Sequence, residues 1–357
     1  MSSMNRQMMK GNEAIAEAAV MAGCRYFFGY PITPQNEIPE YMSLRLPQVD
    51  GVFLQAESEV SAINMVYGAA GTGARVMTSS SSPGISLKQE GISYIVGAEL
   101  PCVIVNIVRG GPGLGSIQPA QSDYYQSTRG GGHGDYRMCV YAPATVQEAV
   151  ELTQKAFDVA DKYRNPVMIL GDGIIGQMME PVTMPDYKGA IETDKSWCAT
   201  GWSEKSDRPR AVINSLYINA SDLEDHNIKL QKKYDAMERD ELLYTTELMD
   251  DAEIAIVAYG TTARIALTAI RKAREQGIKC GLIRPITVWP FPYQAISDAS
   301  KHVKHFLTVE MSMGQMIDDV KLAVNGARPV SFFGRSGGII PGVNEVYQQI
   351  LNIKEGL

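Results

Sequence analysis

The chain has 357 residues, enough for two domains at about 150 residues each. With 45% hydrophobic and 20% charged residues, its composition is that of a globular protein and excludes a disordered chain, a collagen and a disulfide-rich miniprotein. The 33 lysine and arginine residues against 40 acidic ones give a formal charge of −7 without any basic run, which argues against nucleic acid as a partner. No apolar run reaches about 18 residues, and the N-terminus has no apolar signal core. We therefore expect a cytoplasmic protein without a membrane partner.

The five cysteines are far apart in the sequence and form no Cys-x-x-Cys pair. Local spacing therefore supplies no ligand set for an iron–sulfur cluster or a zinc knuckle. Four of the cysteines lie in or beside apolar runs, which is typical of small buried side chains rather than of reactive thiols.

Helix and strand patterns alternate up to about residue 185. Asn12 is placed to cap a helix whose apolar face contains Ile15 and which ends at Gly23. Short apolar runs predict strands at 24–28, 52–54, 75–78, 102–108, 138–141 and 167–170, and we expect the strand at 52–54 to be buried. Helical patterns lie between these strands, most clearly at 145–163. This alternation predicts an α/β fold with a mainly parallel sheet covered on both faces.

The second half of the chain begins with a different pattern. Residues 186–250 form a predicted linker, in which the charged stretch 222–247 is expected to be an exposed helix between domains. From 251 to 357, strands are predicted at 254–258, 279–283, 305–309 and 330–333, and helices at 262–276, 314–325 and 344–352. These elements suffice for a second, smaller α/β domain after a first domain at 1–185.

Several nucleotide and metal motifs fail on their spacing. The loop at 110–116 contains Gly-x₄-Gly, but Ser116 follows where a P-loop requires lysine, so we interpret it as a flexible loop near a ligand. Gly171-Asp172-Gly173 matches the start of a thiamine-diphosphate motif for Mg²⁺, but the next asparagine is Asn214, too distant to be the second ligand. We interpret Asp172 as part of a strand-end turn. His302 and His305 share a helical spacing and are interpreted as surface residues, with metal binding as the alternative.

Three polar side chains follow predicted strands and form the strongest candidate site. Thr33 lies between Pro31 and Pro34, which restrict the backbone of the loop that carries its hydroxyl. Glu59 begins a predicted helix, and Arg109 ends the strand at 102–108. Because the carboxyl ends of parallel strands meet at one edge of a sheet, we expect these three residues to share a crevice. Taken singly, each is also compatible with a structural role, since acidic residues are favoured in a first helical turn in any case.

The sequence resembles a known family over nearly its whole length. The matching segments are Tyr30-Pro31-Ile32-Thr33-Pro34, Ser58-Glu59 with Gly68, and the stretches 78–87, 108–121 with Asp123, 284–292 and 309–315. Together they are similar to the α subunit of 2-oxoacid:ferredoxin oxidoreductases, most closely the branched-chain (3-methyl-2-oxobutanoate) type. The resemblance implies a thiamine-diphosphate domain of the pyrimidine-binding type, followed by a domain like the transketolase C-terminal domain.

The resemblance also implies roles for the three strand-end residues. Glu59 matches the catalytic glutamate that hydrogen-bonds the aminopyrimidine ring of thiamine diphosphate. Arg109 and Thr33 match the residues that contact the substrate. The arginine of the family faces the carboxylate of the substrate. Pro31 belongs to the loop beside the cofactor. Spacing alone does not assign these roles. We expect Glu59 to lie at the protein surface.

The same resemblance implies an enzyme of several subunits. A β subunit would share thiamine diphosphate with this chain and hold its Mg²⁺, and iron–sulfur clusters would lie in partner subunits only. A γ subunit, a ferredoxin-like δ subunit, ferredoxin and coenzyme A are the other expected partners. The reaction would be oxidative decarboxylation of a 2-oxoacid to acyl-CoA and CO₂. Three alternatives stay open. One is a subunit of the 2-oxoglutarate type, whose substrate needs a second cation such as Arg129, Arg137 or His133. The others are a transketolase-like or acyl-forming thiamine enzyme without ferredoxin coupling, and a non-catalytic α/β partner-binding subunit.

Overall fold

Two mainly parallel sheets organise the chain in the computed structural model, which describes residues 6–186 and 190–357. In these ranges the strands are β1 (Gln7–Lys10), β2 (Tyr26–Gly29), β3 (Val52–Gln55), β4 (Val76–Ser80), β5 (Cys102–Val108), β6 (Cys139–Tyr141), β7 (Pro166–Asp172), β8 (Met179–Val182), β9 (Tyr244–Glu247), β10 (Ile254–Val257), β11 (Cys280–Pro285), β12 (Thr287–Trp289), β13 (His305–Glu310) and β14 (Val330–Gly334).

The helices lie between these strands. They are α1 (Gly11–Met21), α2 (Glu37–Arg45), α3 (Glu59–Gly71), α4 (Ser82–Gly97), α5 (Tyr124–Thr128), α6 (Val146–Tyr163), α7 (Gly173–Gln177), α8 (Ala220–Asp240), α9 (Gly260–Glu275), α10 (Tyr293–Ala299), α11 (Met316–Val324) and α12 (Val343–Glu355), with a 3₁₀ helix at Leu46–Val49. No helix in the described ranges is long and apolar enough to cross a membrane.

The larger sheet has the strand order β12-β6-β7-β5-β4-β2-β3 and is parallel except for β12. The smaller one has the order β14-β13-β10-β11-β9, with only β9 antiparallel. Both central strands β5 and β7 are buried throughout, because helices cover both faces of the sheet. The α/β class and the mainly parallel sheet are thus confirmed.

Two strands connect the predicted domains in ways that the sequence pattern does not show. Strand β12 pairs with β6 of the larger sheet, although it lies beyond residue 251. Strand β9 pairs with β11 of the smaller sheet, although it lies before residue 251, at the end of the charged stretch that we expected to be helical. That expectation is wrong for this end, where alternating side chains complete a sheet edge. The domain boundaries themselves stay a prediction.

Two local expectations in the first domain are wrong. Asn12 does not cap α1, because it lies one residue inside the helix and its side chain is buried; its Nδ2 donates to the Pro34 carbonyl at 2.8 Å and to Glu37 at 2.7 Å. The strand at 52–54 is not buried, since Val52 and Leu54 remain 44% and 41% exposed. Strand β3 is the last strand of its sheet and has a neighbour on one side only.

The crossing helix α8 is held to the first domain by charge pairs. Lys229 and Lys233 of α8 both pair with Glu99, which follows α4. Burial raises the pKa of the Glu99 carboxyl, but the ammonium groups of Lys233 and Lys229 outweigh burial and hold that pKa below its ordinary value. At the other end of α8, Glu241 accepts from Lys155 and Lys162 at 2.9 Å each.

We expect Glu99→Gln to lower the free energy of unfolding at pH 7 by about 1–3 kcal/mol, because the substitution leaves the largely buried Lys233 without its carboxylate. A carboxyl with a lowered pKa stabilises the fold above its ordinary range, and this contribution is lost as the pH falls through the folded-state pKa. The difference between wild type and variant should therefore shrink on acidification. Chemical denaturation at several pH values measures this, with the exposed Glu247→Gln as control.

Candidate active site

The loop after β2 presents Thr33 at the carboxyl edge of the larger sheet. Gln35, which is fully buried, fixes this loop by donating to the Tyr30 carbonyl at 3.3 Å and accepting from the Ser79 hydroxyl of β4. The Thr33 hydroxyl accepts from Asn36 Nδ2 at 3.4 Å. Pro31 is exposed at the outer side of the loop. The loop therefore has a defined conformation and leaves Pro31 open to solvent.

Arg109, directly after β5, is buried, and no acidic side chain among the described residues pairs with its charge. Its Nη1 donates to the Thr33 carbonyl at 2.9 Å and its Nη2 to the Leu114 carbonyl at 3.2 Å. Its Nε is buried without a hydrogen-bond partner among the described residues. A guanidinium that is 7% exposed and bonded only to neutral carbonyls leaves a positive charge available to an anion. The contact with Thr33 confirms that these two strand ends meet.

Glu59 lies at the N-terminus of α3, as expected, but not at the surface. Ser58 caps the helix, its Oγ accepting from the Ser61 amide at 3.2 Å, and this places Glu59 in the first turn. Glu57 is exposed and accepts from the Ser61 hydroxyl, whereas Glu59 is only 5% exposed. The expectation of a surface position is wrong because the start of α4 and the end of β4 close over the side chain.

Glycine at position 84 makes room for the Glu59 carboxyl. A Cβ there would lie 2.5 Å from Glu59 Oε1 and 2.0 Å from Ser80 Oγ, closer than any side chain tolerates. No hydrogen-bond partner for the Glu59 carboxyl occurs among the described residues, so its lone pairs stay available. The structure thus places an unpartnered carboxyl between the starts of α3 and α4.

The N-terminal turn of α4 links Glu59 to Arg109. Ser82 Oγ accepts from the Arg109 amide at 3.1 Å and donates to the Arg109 carbonyl at 3.3 Å, and Gly84 follows two residues later against Glu59. In the described parts of the chain, no direct hydrogen bond joins Glu59 to Thr33 or Arg109. The three residues lie around one sheet edge. Thr33 and Arg109 are in contact, and the start of α4 separates Glu59 from them.

The Gly-rich loop is held at its base rather than freely flexible. Ser116 N donates to the Gly110 carbonyl at 2.8 Å, and Arg109 pairs with Pro119 across the loop. Gly115 has a φ of 63°, and a Cβ there would lie 1.9 Å from the Gly110 carbonyl oxygen. The tip of the loop carries Leu114, which is strongly exposed.

Lys88 is a buried charged residue near Glu59 that the sequence analysis does not single out. It is fully buried on α4, and its Nζ donates to Thr78 Oγ1 at 3.0 Å. A signal was present: Lys88 lies four residues after Gly84 and three residues before Gly91, on a face that also contains Ile85 and Ile92. A lysine on an otherwise small or apolar helix face is unusual.

Other sequence candidates lie away from this edge. Asp172 forms a strand-end turn, as interpreted, with its Oδ1 capping α7 through the amides of Ile174 and Ile175 at 2.9 and 3.2 Å. His302 is exposed as expected, but His305 is half-buried on β13, within hydrogen-bond distance of Ser331 at 2.7 Å, so the surface interpretation is wrong for His305. No group of metal-ligating side chains is found among the described residues.

Comparison with known proteins covers nearly the whole chain. Residues 17–245 match the sequence profile described as pyruvate flavodoxin/ferredoxin oxidoreductase, thiamine-diphosphate-binding, and residues 252–346 match pyruvate:ferredoxin oxidoreductase core domain II. The chain is 49% identical over 350 residues to the ketoisovalerate oxidoreductase subunit VorB of Methanothermobacter thermautotrophicus, covering 98% of each protein. It is 37% identical over 369 residues to the 2-oxoglutarate synthase subunit KorA of the same organism, covering 97% of this chain and 98% of that relative.

A solved structure has the same fold. The 2-oxoglutarate:ferredoxin oxidoreductase from Magnetococcus marinus matches with a TM-score of 0.86 at 22% identity, over 99% of this chain and 66% of that one. The match confirms the predicted α/β architecture, with both units of this chain contained in the larger protein.

Proposed function

Because this chain belongs to the pyruvate flavodoxin/ferredoxin oxidoreductase family, we propose that it is the α-type subunit of an enzyme that oxidatively decarboxylates 3-methyl-2-oxobutanoate. The products would be the acyl-CoA and CO₂, with coenzyme A as acyl acceptor and ferredoxin as electron acceptor. Two buried side chains carry this proposal. The guanidinium of Arg109 bonds the Thr33 carbonyl and pairs with no acid among the described residues, and the Glu59 carboxyl beside it has no hydrogen-bond partner there. A guanidinium such as that of Arg109 can bind a carboxylate, and a carboxyl such as that of Glu59 can exchange a proton.

The residues at this edge fit the ring end of thiamine diphosphate. When bound, this cofactor supplies a nucleophilic carbon and an electron sink for cleavage beside a 2-oxoacid carbonyl. Glu59 would accept a hydrogen bond from the aminopyrimidine ring, in the space that Gly84 keeps free of a side chain. Pro31 would border the cofactor from the exposed loop, and Thr33 would contact the substrate. Arg109 would orient the substrate carboxylate through its free donor capacity.

We assign the diphosphate and Mg²⁺ to a β subunit, since the Asp172 carboxyl of this chain is occupied in capping α7. Iron–sulfur clusters are assigned to β or a ferredoxin-like δ subunit, with a γ subunit completing the complex. Burial raises the pKa of Cys24, Cys102 and Cys139 to about 12, which disfavours the thiolate form that binds a cluster. The capping role of Asp172 and the burial of the thiols both support a site that is shared between chains.

The surroundings of Arg109 favour a branched-chain substrate over 2-oxoglutarate. The second carboxylate of 2-oxoglutarate requires another cation, but Arg129 pairs with Asp319 at 3.0 Å and Arg137 donates to the Tyr136 carbonyl at 2.9 Å. His133 is exposed and contacts the Tyr94 ring edge-on. No hydrogen bond or ion pair in the described parts of the chain joins any of the three candidates to the Arg109 loop, where Leu114 and Ile117 instead offer exposed apolar side chains.

We expect the isolated chain to bind thiamine diphosphate at least about 100-fold more weakly than the assembled complex. The contacts to the diphosphate are missing, and charge-assisted contacts each contribute about 1.4 kcal/mol or more, a tenfold change in affinity. Isothermal titration of the chain alone and of the complex measures the difference. Stoichiometric, tight binding by the chain alone would contradict the shared site.

Co-purification with the neighbouring subunits, followed by assay of a panel of 2-oxoacids with coenzyme A and a one-electron dye, tests the function itself. Turnover of 3-methyl-2-oxobutanoate with acyl-CoA formation is the expected result. Preference for 2-oxoglutarate would select the second family type. A complex whose turnover is indifferent to Glu59, Arg109 and Thr33 would indicate a non-catalytic partner-binding subunit.

A further inference from the structure

Lys88 is a buried amine with little to compensate its charge. The side chain is fully buried, and Thr78 Oγ1 is its only hydrogen-bond partner in the described parts of the chain. An ammonium group has three donors, so two of them have no partner there. A methionine of similar length would fill the same space without this cost, which makes the charge itself the feature to explain.

The packing of α3 on α4 places Lys88 next to Glu59. Gly84, Lys88 and Gly91 share one face of α4, since they are spaced by four and three residues. Gly84 packs against Glu59, and a Cβ at Gly91 would lie 2.5 Å from Ile63 Cγ2, one helical turn after Glu59. Lys88 therefore lies between the two contacts that α4 makes with α3.

Strand β4 closes the other side of this arrangement. Thr78 and Ser80 are two residues apart and so point to the same face of the strand. Thr78 accepts from Lys88, and Ser80 lies beside Gly84 at the Glu59 carboxyl. The lysine side chain thus runs from α4 towards β4, on the side where both elements pack against the Glu59 carboxyl.

Glu59 is the charged group that faces Lys88. Burial lowers the pKa of Lys88 to about 8, and the negative charge of Glu59 opposes this shift. No other charged group of the described residues contributes, and the facing residue of β4, Thr78, does not titrate. At neutral pH the amine is therefore protonated and provides a positive charge beside a carboxyl that lacks hydrogen bonds.

We propose that Lys88 is a positioning residue for Glu59, whose buried ammonium faces the Glu59 carboxyl and holds it in place for the ring of the bound cofactor. The inference rests on the proposed function, because it assigns Lys88 a purpose at the same site. It explains why a charge is kept at a position where an apolar side chain would pack as well and cost less stability.

A double-mutant cycle tests the coupling without any assay of activity. Glu59→Gln, Lys88→Met and the double variant are compared with wild type by thermal unfolding of the full chain. We expect the midpoint of the double variant to exceed the value that adding the two single shifts predicts, because it leaves neither charge alone. Lys88→Gln, which keeps a donor for Thr78 without the charge, should behave as Lys88→Met does. Additive shifts would overturn the proposal.

The second measurement is the pH dependence of thiamine diphosphate binding to the assembled complex. In wild type the affinity should fall as the pH rises past about 8, where the ammonium of Lys88 loses its proton. Lys88→Met should lack this transition and bind about tenfold more weakly at pH 7, because the Glu59 carboxyl has lost the facing ammonium. A profile for Lys88→Met that matches wild type would overturn the proposal.

Lys233→Met is the matched control. Burial also lowers the pKa of Lys233 to about 8, but its carboxylate partner is Glu99, at 3.4 Å. This variant should lower the unfolding midpoint and leave the pH profile of binding unchanged. If Glu59→Gln retains full cofactor binding and turnover, Glu59 loses its proposed role at the site and Lys88 loses its assigned purpose. If Glu59→Gln is inactive while Lys88→Met equals wild type, only the role of Lys88 is refuted.

Discussion

Glu59→Gln is expected to lower the turnover of the assembled complex by about 10²–10⁴-fold, the usual contribution of a positioned acid or base. Glutamine keeps the size of the side chain, so Gly84 still accommodates it, but an amide cannot hold the proton that a carboxyl exchanges. The measurement is the rate of 3-methyl-2-oxobutanoate oxidation at saturating cofactor. Glu57→Gln is the matched control, because it changes an exposed carboxyl two residues away.

The burial of Glu59 changes what this substitution does to folding. For a surface residue an isosteric change would be nearly neutral, within about 0.5 kcal/mol. At 5% exposure and beside the buried Lys88, the neutral amide leaves the lysine charge without its counter-charge, so we expect a lower unfolding midpoint as well. Activity must therefore be measured well below that midpoint. Undiminished turnover there would remove Glu59 from the proposed role.

Arg109→Met is expected to raise the KM for the 2-oxoacid by about two to three powers of ten. A desolvated carboxylate–guanidinium contact is worth about 3–4 kcal/mol, and each 1.4 kcal/mol is a tenfold change. The kcat should fall less, because the substitution removes a binding contact rather than a proton-exchanging group. Initial rates over a wide range of substrate concentration separate the two constants.

Arg109 also supports the loops around it, so the control must separate charge from architecture. Arg109→Lys retains the positive charge but cannot reach both the Thr33 and Leu114 carbonyls in the geometry of a guanidinium. It should restore part of the lost affinity for substrate. Arg137→Met, at an arginine remote from the loop, should leave the KM unchanged. A normal KM for Arg109→Met would reduce Arg109 to a structural residue.

The sequence predicts regular elements well where one physical signal dominates. Continuous apolar runs gave β5 and β7, because strands buried on both faces are apolar throughout. Helix α6 begins where expected, since Thr145 caps it by accepting from the Glu148 amide at 3.0 Å. All five cysteines are buried, whereas apolar neighbours indicate burial for four of them.

The prediction fails where pairing partners come from distant parts of the chain. The short strands β9 and β12 become strands only because an edge of another segment receives them, and neither has a run long enough to indicate this. Asn12 has the residue type of a helix cap, but the Pro34 carbonyl and Glu37 offer its amide stronger tertiary partners. The exposure of β3 follows from its position at the end of the sheet order.

For the candidate site, the amino-acid sequence by itself determined the identity of Thr33, Glu59 and Arg109 and their positions in the segments that follow strands, because a parallel sheet collects such positions at one edge. Tertiary structure alone decided that Arg109 contacts the Thr33 carbonyl, that Glu59 is enclosed by Ser80 and Gly84, and that Lys88 lies beneath it. The reason is that burial and charge pairing depend on which helices pack against each other. A local sequence pattern can mark the packed face of a helix, but it does not say which element that face meets.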